Sequence, residues 1–288
     1  MKIAVLGLGI MGGGMAGRLI GAGFDVAVYN RNPEKSAPFA GRARIAATPA
    51  EATEGADIVI SMLADDNASR TVWLGDSGAL TTLAAGTVCI ESSTVSLDWV
   101  KAWAAAVESK GAQALDAPVT GSKAAAANGE LGFIVGGSTE ALAKAAPALE
   151  VMSKAVTHLG AIGSGATFKL INNFLCGIQL ASLAETITLI ERSGLDRDKA
   201  VETLIGGATG SPLVKMVAGR ILADDYTPHF LLRLMAKDLT YATEAGAAFS
   251  VEMKTGLAAL AAFKDAATTG YGDEDIAGIF KAVRAKKA

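Results

Sequence analysis

Residues Gly160 to Asn173 read GAIGSGATFKLINN, with glycines at 160, 163 and 165, then Lys169, then Asn173. Positions four apart on a helix share a face. Lys169 and Asn173 would therefore converge below a glycine turn whose backbone a ligand can approach closely. A lysine ammonium can give a proton to a carbonyl oxygen, and a carboxamide can orient it, so the pair is a candidate acid/base site. The same spacing also describes a helix that starts after glycine and carries an exposed lysine. Spacing alone does not choose between the two.

A second constellation lies at the start of the chain. Lys2 to Leu6 (KIAVL) is a short apolar run that predicts a buried strand. It is followed at once by GLGIMG, which is Gly7, Leu8, Gly9, Ile10, Met11 and Gly12. A helical segment around Met15 to Ile20 and a second strand at Asp25 to Tyr29 come next. Glycines in G-x-G-x-x-G spacing between a strand and a helix make a dinucleotide-binding turn. The first permits the tight turn, the second admits the pyrophosphate, and the third lets helix and strand pack. The residues after the second strand select the cofactor. Here they are Asn30, Arg31 and Asn32. No carboxylate stands there to bind ribose hydroxyls and repel a 2′-phosphate, and Arg31 can pair with one, which points to NADP(H) over NAD(H).

The elements that position these groups alternate. Further strands are expected at 57–63, 88–93, 113–117, 131–135 and 156–159, with helices at 97–109 and 139–152. This is the doubly wound α/β pattern, in which ligands sit at the carboxyl ends of strands. Three strand ends carry Met62-Leu63-Ala64, Ser92-Ser93-Thr94 and Thr120-Gly121-Ser122, each of which is also ordinary turn chemistry. From Gly165 the chain turns almost wholly helical: 168–193, 196–205, 212–222, 230–249, 252–268 and 275–285. The reading is a Rossmann-type domain over 1–162 and an all-helical substrate and oligomerisation domain over 163–288. A long interdomain helix joins them, largely apolar all round, which suggests burial, within the chain or in a subunit interface, and Lys169 is expected at the cleft. Lys237, within Met235 to Leu239, reads on its own as a solvated surface lysine.

Composition narrows the function classes. The chain has 288 residues and a net charge of −3, which gives no reason to expect a nucleic-acid or anionic-membrane partner. Two histidines, His158 and His229, argue against a histidine-rich metal site or a Ser/His/Asp engine. Cys89 and Cys176 sit in apolar runs without metal-type spacing and read as buried free thiols of a cytoplasmic protein. The uncharged run 3–17 is glycine-rich and lacks a convincing cleavage site, so no signal peptide is expected. Leu170 to Ala184 is too short and too polar to span a bilayer.

Taken in order, the motifs resemble those of the β-hydroxyacid dehydrogenase family, the 3-hydroxyisobutyrate dehydrogenase type, over nearly the whole chain. GLGIMGGGMA is similar to its cofactor turn. DAPVTGS at Asp116 to Ser122 is similar to its substrate-binding signature, GAIGSGATFKLINN to its catalytic signature, and AKDL at Ala236 to Leu239 to its fourth motif. The resemblance implies that Lys169 is the catalytic acid/base, supported by Asn173. It implies that Thr120, Gly121 and Ser122 hold a small-molecule carboxylate substrate, that Leu63 and Ala64 touch the cofactor, and that Thr94 and Lys237 lie beside the nicotinamide. It also implies homodimers or homotetramers.

Three departures matter. Thr120 replaces the usual serine and Ser122 the usual last glycine, with Lys123 following. This TGSK form and the Asn-Arg pair are nearer the NADPH-dependent glyoxylate/succinic semialdehyde reductase branch. Ala64 stands where proline is usual, which leaves that loop less rigid. The expected activity is NADP(H)-dependent reduction of small aldehyde-acids. A 3-hydroxy acid dehydrogenase (3-hydroxyisobutyrate or serine type) and an imine reductase are the alternatives. The intact Lys169 counts against the second of these and, with Asn173 and Lys237, against a cofactor-binding protein without turnover.

Overall fold

The computed structural model describes residues 1–286. The chain divides into two compact units, Met1–Lys169 and the residues from Leu170 onward. In the first, nine strands form one sheet: β1 Lys2–Leu6, β2 Asp25–Tyr29, β3 Arg44–Ile45, β4 Ile58–Ser61, β5 Val88–Glu91, β6 Gln113–Asp116, β7 Val119–Thr120, β8 Leu131–Gly137 and β9 Ser153–Gly160. Six of them run parallel in the order β3-β2-β1-β4-β5-β6. β8 then joins antiparallel to β6, and β7 and β9 pair with β8. The order reverses between β1 and β4, and that switch point is where a doubly wound sheet opens a ligand crevice beyond its strand ends. The helices of this unit are α1 Ile10–Gly21, α2 Pro49–Thr53, α3 Asp66–Leu74, α4 Leu97–Glu108, α5 Lys123–Asn128 and α6 Thr139–Glu150. The 29-residue α7, Ser164–Arg192, starts here and continues into the second unit.

Strand alternation puts Ile3, Val5, Val26, Val28, Ile58 and Ile60 on one sheet face, where they pack with Met15 and Leu19 of α1. The opposite face presents Ala4, Val59, Cys89 and Ala114 to Trp73, Trp99 and Trp103. Small side chains on the sheet leave room for three indoles, two of which meet edge to face at 5.4 Å. Burying both faces explains why these strands read as unbroken apolar runs.

The second unit holds the rest of α7 with α8 Arg197–Gly206, α9 Pro212–Leu222, α10 Leu232–Ala248, α11 Lys254–Ala266 and α12 Ile279–Ala285. Their shared core includes Leu180, Ala184, Ile187, Met235, Leu239, Phe263 and Phe280.

Several expectations are corrected in detail. The strands expected at 57–63 and 88–93 end at Ser61 and Glu91. Beyond them the two segments turn toward each other, Leu63 N–H donating to Ser93 Oγ at 2.7 Å. The helix expected at 275–285 is a 3₁₀ turn followed by α12. The Asp275 carboxylate breaks the run by accepting N–H groups from His229, Phe230 and Ala277. Within the single chain α7 is not buried all round, since Phe168, Ile171, Leu175 and Leu189 are exposed, and the expected burial in a subunit interface is a matter for the assembly. Its uncharged stretch, expected to be too short for a bilayer, belongs to a helix that is long and apolar enough to cross one by length and composition alone. The burial of Leu180, Leu183, Ala184 and Ile187 among other helices is the packing of a core helix. Cys89 is buried as expected, whereas Cys176 is only half-buried.

Candidate active site

The glycine turn after β1 is fixed by close backbone approach. Gly7 has φ +100°, and a Cβ there would meet the Met62 carbonyl at 2.3 Å; a Cβ on Gly12 would meet the Gly7 carbonyl at 2.0 Å. Gly9 faces open space instead. The first hydrogen bond of α1 runs from Gly13 N–H to Gly9 O, so the N–H groups of Ile10, Met11 and Gly12 have no acceptor inside the helix. α1 also lacks a side-chain cap and an acidic residue in its first turn. An exposed glycine at an uncapped, uncompensated positive helix end fits the pyrophosphate of a dinucleotide. Leu8 is buried under the turn, and Ile10 is partly exposed at its rim.

Of the three residues after β2, two have local duties. Asn30 Oδ1 accepts the Leu8 N–H at 2.9 Å, tying the glycine turn to the end of β2, and its Nδ2 donates to Asn32 O. Asn32 Oδ1 accepts the Glu34 N–H and starts a 3₁₀ turn. Arg31 is exposed, with no hydrogen bond or ion pair among the described residues. It alone is available to pair with an added phosphate.

The loops after β4 and β5 carry Leu63, Ala64 and Thr94, and carboxyl groups that sequence reasoning did not single out bind them to each other. Glu91, wholly buried at the end of β5, accepts Ser69 Oγ–H at 2.5 Å and Ser93 N–H at 3.0 Å. Burial raises its pKa, and the Ser69 and Ser93 donors oppose that rise. Asp66 accepts both the N–H and the hydroxyl of Ser96 at 2.8 and 2.5 Å. Leu63 and Thr94 are half-buried and Ala64 is exposed.

On β7, just beyond β6, Thr120 is half-buried, with its hydroxyl donating to Gly132 O across a long 3.4 Å. Gly121 has φ +133°, the backbone region only glycine enters freely. Ser122 is exposed and caps α5 by accepting the Ala125 N–H at 3.3 Å, which leaves its own O–H to donate. Lys169 lies on α7, half-buried, six residues past the glycine that precedes the helix. The Asp116 carboxylate joins these two regions. Its Oδ1 accepts Gly163 N–H and its Oδ2 accepts Ala166 N–H, both at 2.7 Å. Desolvation pushes this carboxyl up to about 6, even though the backbone donors pull it down.

In the second unit Asn173 is buried on α7. Its Nδ2 donates to Asp238 Oδ2 at 2.6 Å, and its Oδ1 accepts from Asn172. Lys237 Nζ lies 3.0 Å from Asp238 Oδ1 and 5.2 Å from the Tyr241 ring centre. Lys237 is thus a largely buried, ion-paired group, not the solvated lysine that its isolated sequence suggests. Asp238 gathers the predicted residues Asn173 and Lys237, as Asp116 links the Thr120 segment to the start of α7. Both carboxylates stood inside recognised motifs. What the sequence lacked was any mark of their partners, which lie 47 to 65 positions away.

Residues 2–160 match the family model described as the NAD binding domain of 6-phosphogluconate dehydrogenase. Residues 163–283 match the model described as NAD-binding of NADP-dependent 3-hydroxyisobutyrate dehydrogenase. The chain is 36% identical to glyoxylate/succinic semialdehyde reductase 2, chloroplastic, of Arabidopsis thaliana, over 100% of this chain and 81% of that protein. It is 34% identical to the NAD-dependent L-serine dehydrogenase of Pseudomonas aeruginosa, over 97% of both chains. The solved structure of Mycobacterium tuberculosis 3-hydroxyisobutyrate dehydrogenase with L-serine is similar at a TM-score of 0.88 and 31% identity, covering 99% of each chain. With a dinucleotide turn at the sheet's switch point and both halves matched over their length, the chain belongs to the β-hydroxyacid dehydrogenase family and is an NAD(P)-dependent oxidoreductase.

Proposed function

We propose that this enzyme reduces small aldehyde-acids, of the glyoxylate or succinic semialdehyde type, to hydroxy acids with NADPH. The observation that carries the cofactor half is Arg31, exposed and, among the described residues, without a hydrogen-bond or ion-pair partner, beside an Asn30 that offers no carboxylate. When bound, NADPH supplies the hydride. Lys169 gives a proton to the carbonyl oxygen as charge develops there. The Thr120 and Ser122 hydroxyls and the backbone of Gly121 hold the carboxylate; the long Thr120 bond to Gly132 O leaves that hydroxyl easy to redirect. Gly7, Leu8, Gly9, Ile10, Met11 and Gly12 seat the pyrophosphate, and Leu63, Ala64, Thr94 and Lys237 complete the cofactor set. Asn173 supports Lys169 from the next turn of α7, its own carboxamide being committed to Asp238 and Asn172. Exposed Ile171, Leu175 and Leu189 on α7 support assembly into a homodimer or homotetramer.

The test is loss of NADPH absorbance with a panel of small aldehydes and keto acids, run in parallel with NADH. Turnover of glyoxylate or succinic semialdehyde with NADPH preferred is the expected result. A preference for NADH, with oxidation of serine or 3-hydroxyisobutyrate the faster reaction, would instead establish the second reading, which the likeness to the L-serine dehydrogenase favours. Lys169→Ala should lower kcat by roughly 10²–10⁴-fold with NADPH affinity kept. Full kcat in that variant would remove Lys169 from the mechanism.

A further inference from the structure

We infer that Asp116 is a positioning residue, which sets the register of the Thr120–Ser122 loop against α7 and thereby the direction of the Lys169 amine. The inference rests on Lys169 being the proton donor.

At the start of α7 the Ser164 N–H is met locally by the Ala161 carbonyl, but the N–H groups on either side are not. The residue before the helix is Gly163, with φ +92° and no side chain to accept an N–H. The acceptor comes instead from 47 to 50 positions earlier in the chain. Asp116 takes the N–H of Gly163, just before the helix, and that of Ala166, in its first turn, each at 2.7 Å and fully buried. The surroundings are shaped for this carboxylate. A Cβ on Gly136 would meet Asp116 Oδ1 at 2.4 Å, and one on Gly165 would meet Oδ2 at 3.0 Å. Two glycines, one on β8 and one on α7, therefore make the space the carboxylate fills. Lys169 follows Ala166 by three residues, less than one helical turn. Four residues beyond Asp116, the same chain reaches Thr120. One side chain thus links the segment proposed to hold the substrate with the helix proposed to deliver the proton.

A helix cap alone does not account for this arrangement. A serine or threonine beside the helix would satisfy one of these N–H groups locally, with no charge to bury. Asp116 carries its charge without solvent exposure, and burial disfavours that charge. What the distant carboxylate adds is a fixed relation between two strand-end segments.

The test is a double-mutant cycle on the full-length enzyme, using Asp116→Asn, Lys169→Ala and the pair. The amide keeps the shape but turns an NH₂ toward one of the two N–H donors. Asp116→Asn should lower kcat by about 10²-fold, with the aldehyde KM and NADPH Kd within about threefold of wild type. Its solvent isotope effect on kcat should grow as proton transfer becomes slower. Amide exchange over 160–169 should speed up, a readout that does not depend on turnover. In the Lys169→Ala background the same substitution should change kcat by less than about twofold, because Asp116 acts through the lysine. An undiminished kcat in Asp116→Asn, or a full 10²-fold loss on top of Lys169→Ala, would overturn the inference. An undiminished kcat in Lys169→Ala alone would instead overturn the proton-donor assignment. Should Asp116→Asn fail to fold, Asp116→Ser, whose hydroxyl can still accept one N–H, carries the same cycle and the same criteria.

Discussion

The pair Asn173 and Asp238 allows a quantitative test of how the second unit is held together. Asn173 Nδ2 lies 2.6 Å from Asp238 Oδ2, and the two residues are 3% and 1% exposed. The bond is a donor to a desolvated carboxylate, the class of hydrogen bond worth about 1.5–3 kcal/mol. Asn173→Ala strips a buried charge of its N–H donor and leaves the Lys237 ammonium beside it. Asp238→Ala leaves a buried carboxamide and an ammonium without their common acceptor. Each should destabilise by about 3 kcal/mol. The double variant has no buried carboxylate left to satisfy, so its loss should be about 4 kcal/mol rather than the sum of about 6, a coupling of about 2 kcal/mol. At about 4 °C per kcal/mol for a unit of this size, the expected Tm shifts are about 12 °C for each single variant and about 16 °C for the pair. Far-UV circular dichroism follows the helices of both units. The fluorescence of Trp73, Trp99 and Trp103, all in the first unit, reports that unit separately. Additivity within about 0.5 kcal/mol, or single losses below about 1 kcal/mol, would refute the reasoning, because the short buried bond would then carry no net stabilisation.

Three further predictions follow from the first unit. Gly9→Ala should fold with an unchanged Tm yet raise the NADPH KM at least about tenfold, since its methyl group enters open space where the pyrophosphate is proposed to sit; Gly12→Ala, 2.0 Å from the Gly7 carbonyl, should lower the Tm sharply. Unchanged cofactor KM in Gly9→Ala would exclude that turn as the phosphate cradle. The pair Asn30→Asp and Arg31→Ala should shift preference from NADPH toward NADH, and an unchanged ratio of kcat/KM values would exclude Arg31 as the phosphate partner. Asp116 should make stability depend on pH in an unusual direction. Its carboxyl titrates at about 6 when folded and at 3.8 as a free side chain, so the folded state binds the proton more tightly. The stabilisation it provides is complete below pH 3.8 and is lost as pH rises through about 6, a difference of roughly 3 kcal/mol. Comparing Tm against pH for wild type and Asp116→Asn isolates this component, and parallel curves between pH 4 and 7 (about the window set by the two values) would contradict it.

Legibility in the sequence followed the physical range of each signal. β1, β2 and α9 have the boundaries expected from their apolar runs, turn glycines and, for α9, a proline at its first position. β3 and β7 are two residues each, too short for any alternation, and both were missed. α3 was missed because DNASRTVWL is mostly polar; Asp65, whose side chain accepts the Ala68 N–H, marks its start only once the helix is seen. The glycine turn was readable because its chemistry is local: three glycines between a strand and a helix. The carboxylates Glu91, Asp116 and Asp238 were not, since a buried acid and an exposed one are the same letter. Their meaning comes from donors brought in by the fold, from Ser69, Gly163 and Asn173.

The bond between Leu8 N–H and Asn30 Oδ1 has a consequence for how such an enzyme can change over evolutionary time. Residue 30 stands where the proposed function places cofactor choice, yet its oxygen also anchors the glycine turn. Asparagine and aspartate present that oxygen at the same reach and differ in the other terminal atom. Here that atom is Nδ2, bonded to the Asn32 carbonyl in an exposed position. A lineage could pass between the two residues while keeping the anchor, giving up one solvent-accessible hydrogen bond. Selection on cofactor supply could then act at this position with little penalty to folding, whereas Gly7 and Gly12, hemmed in by backbone carbonyls, leave no comparable route.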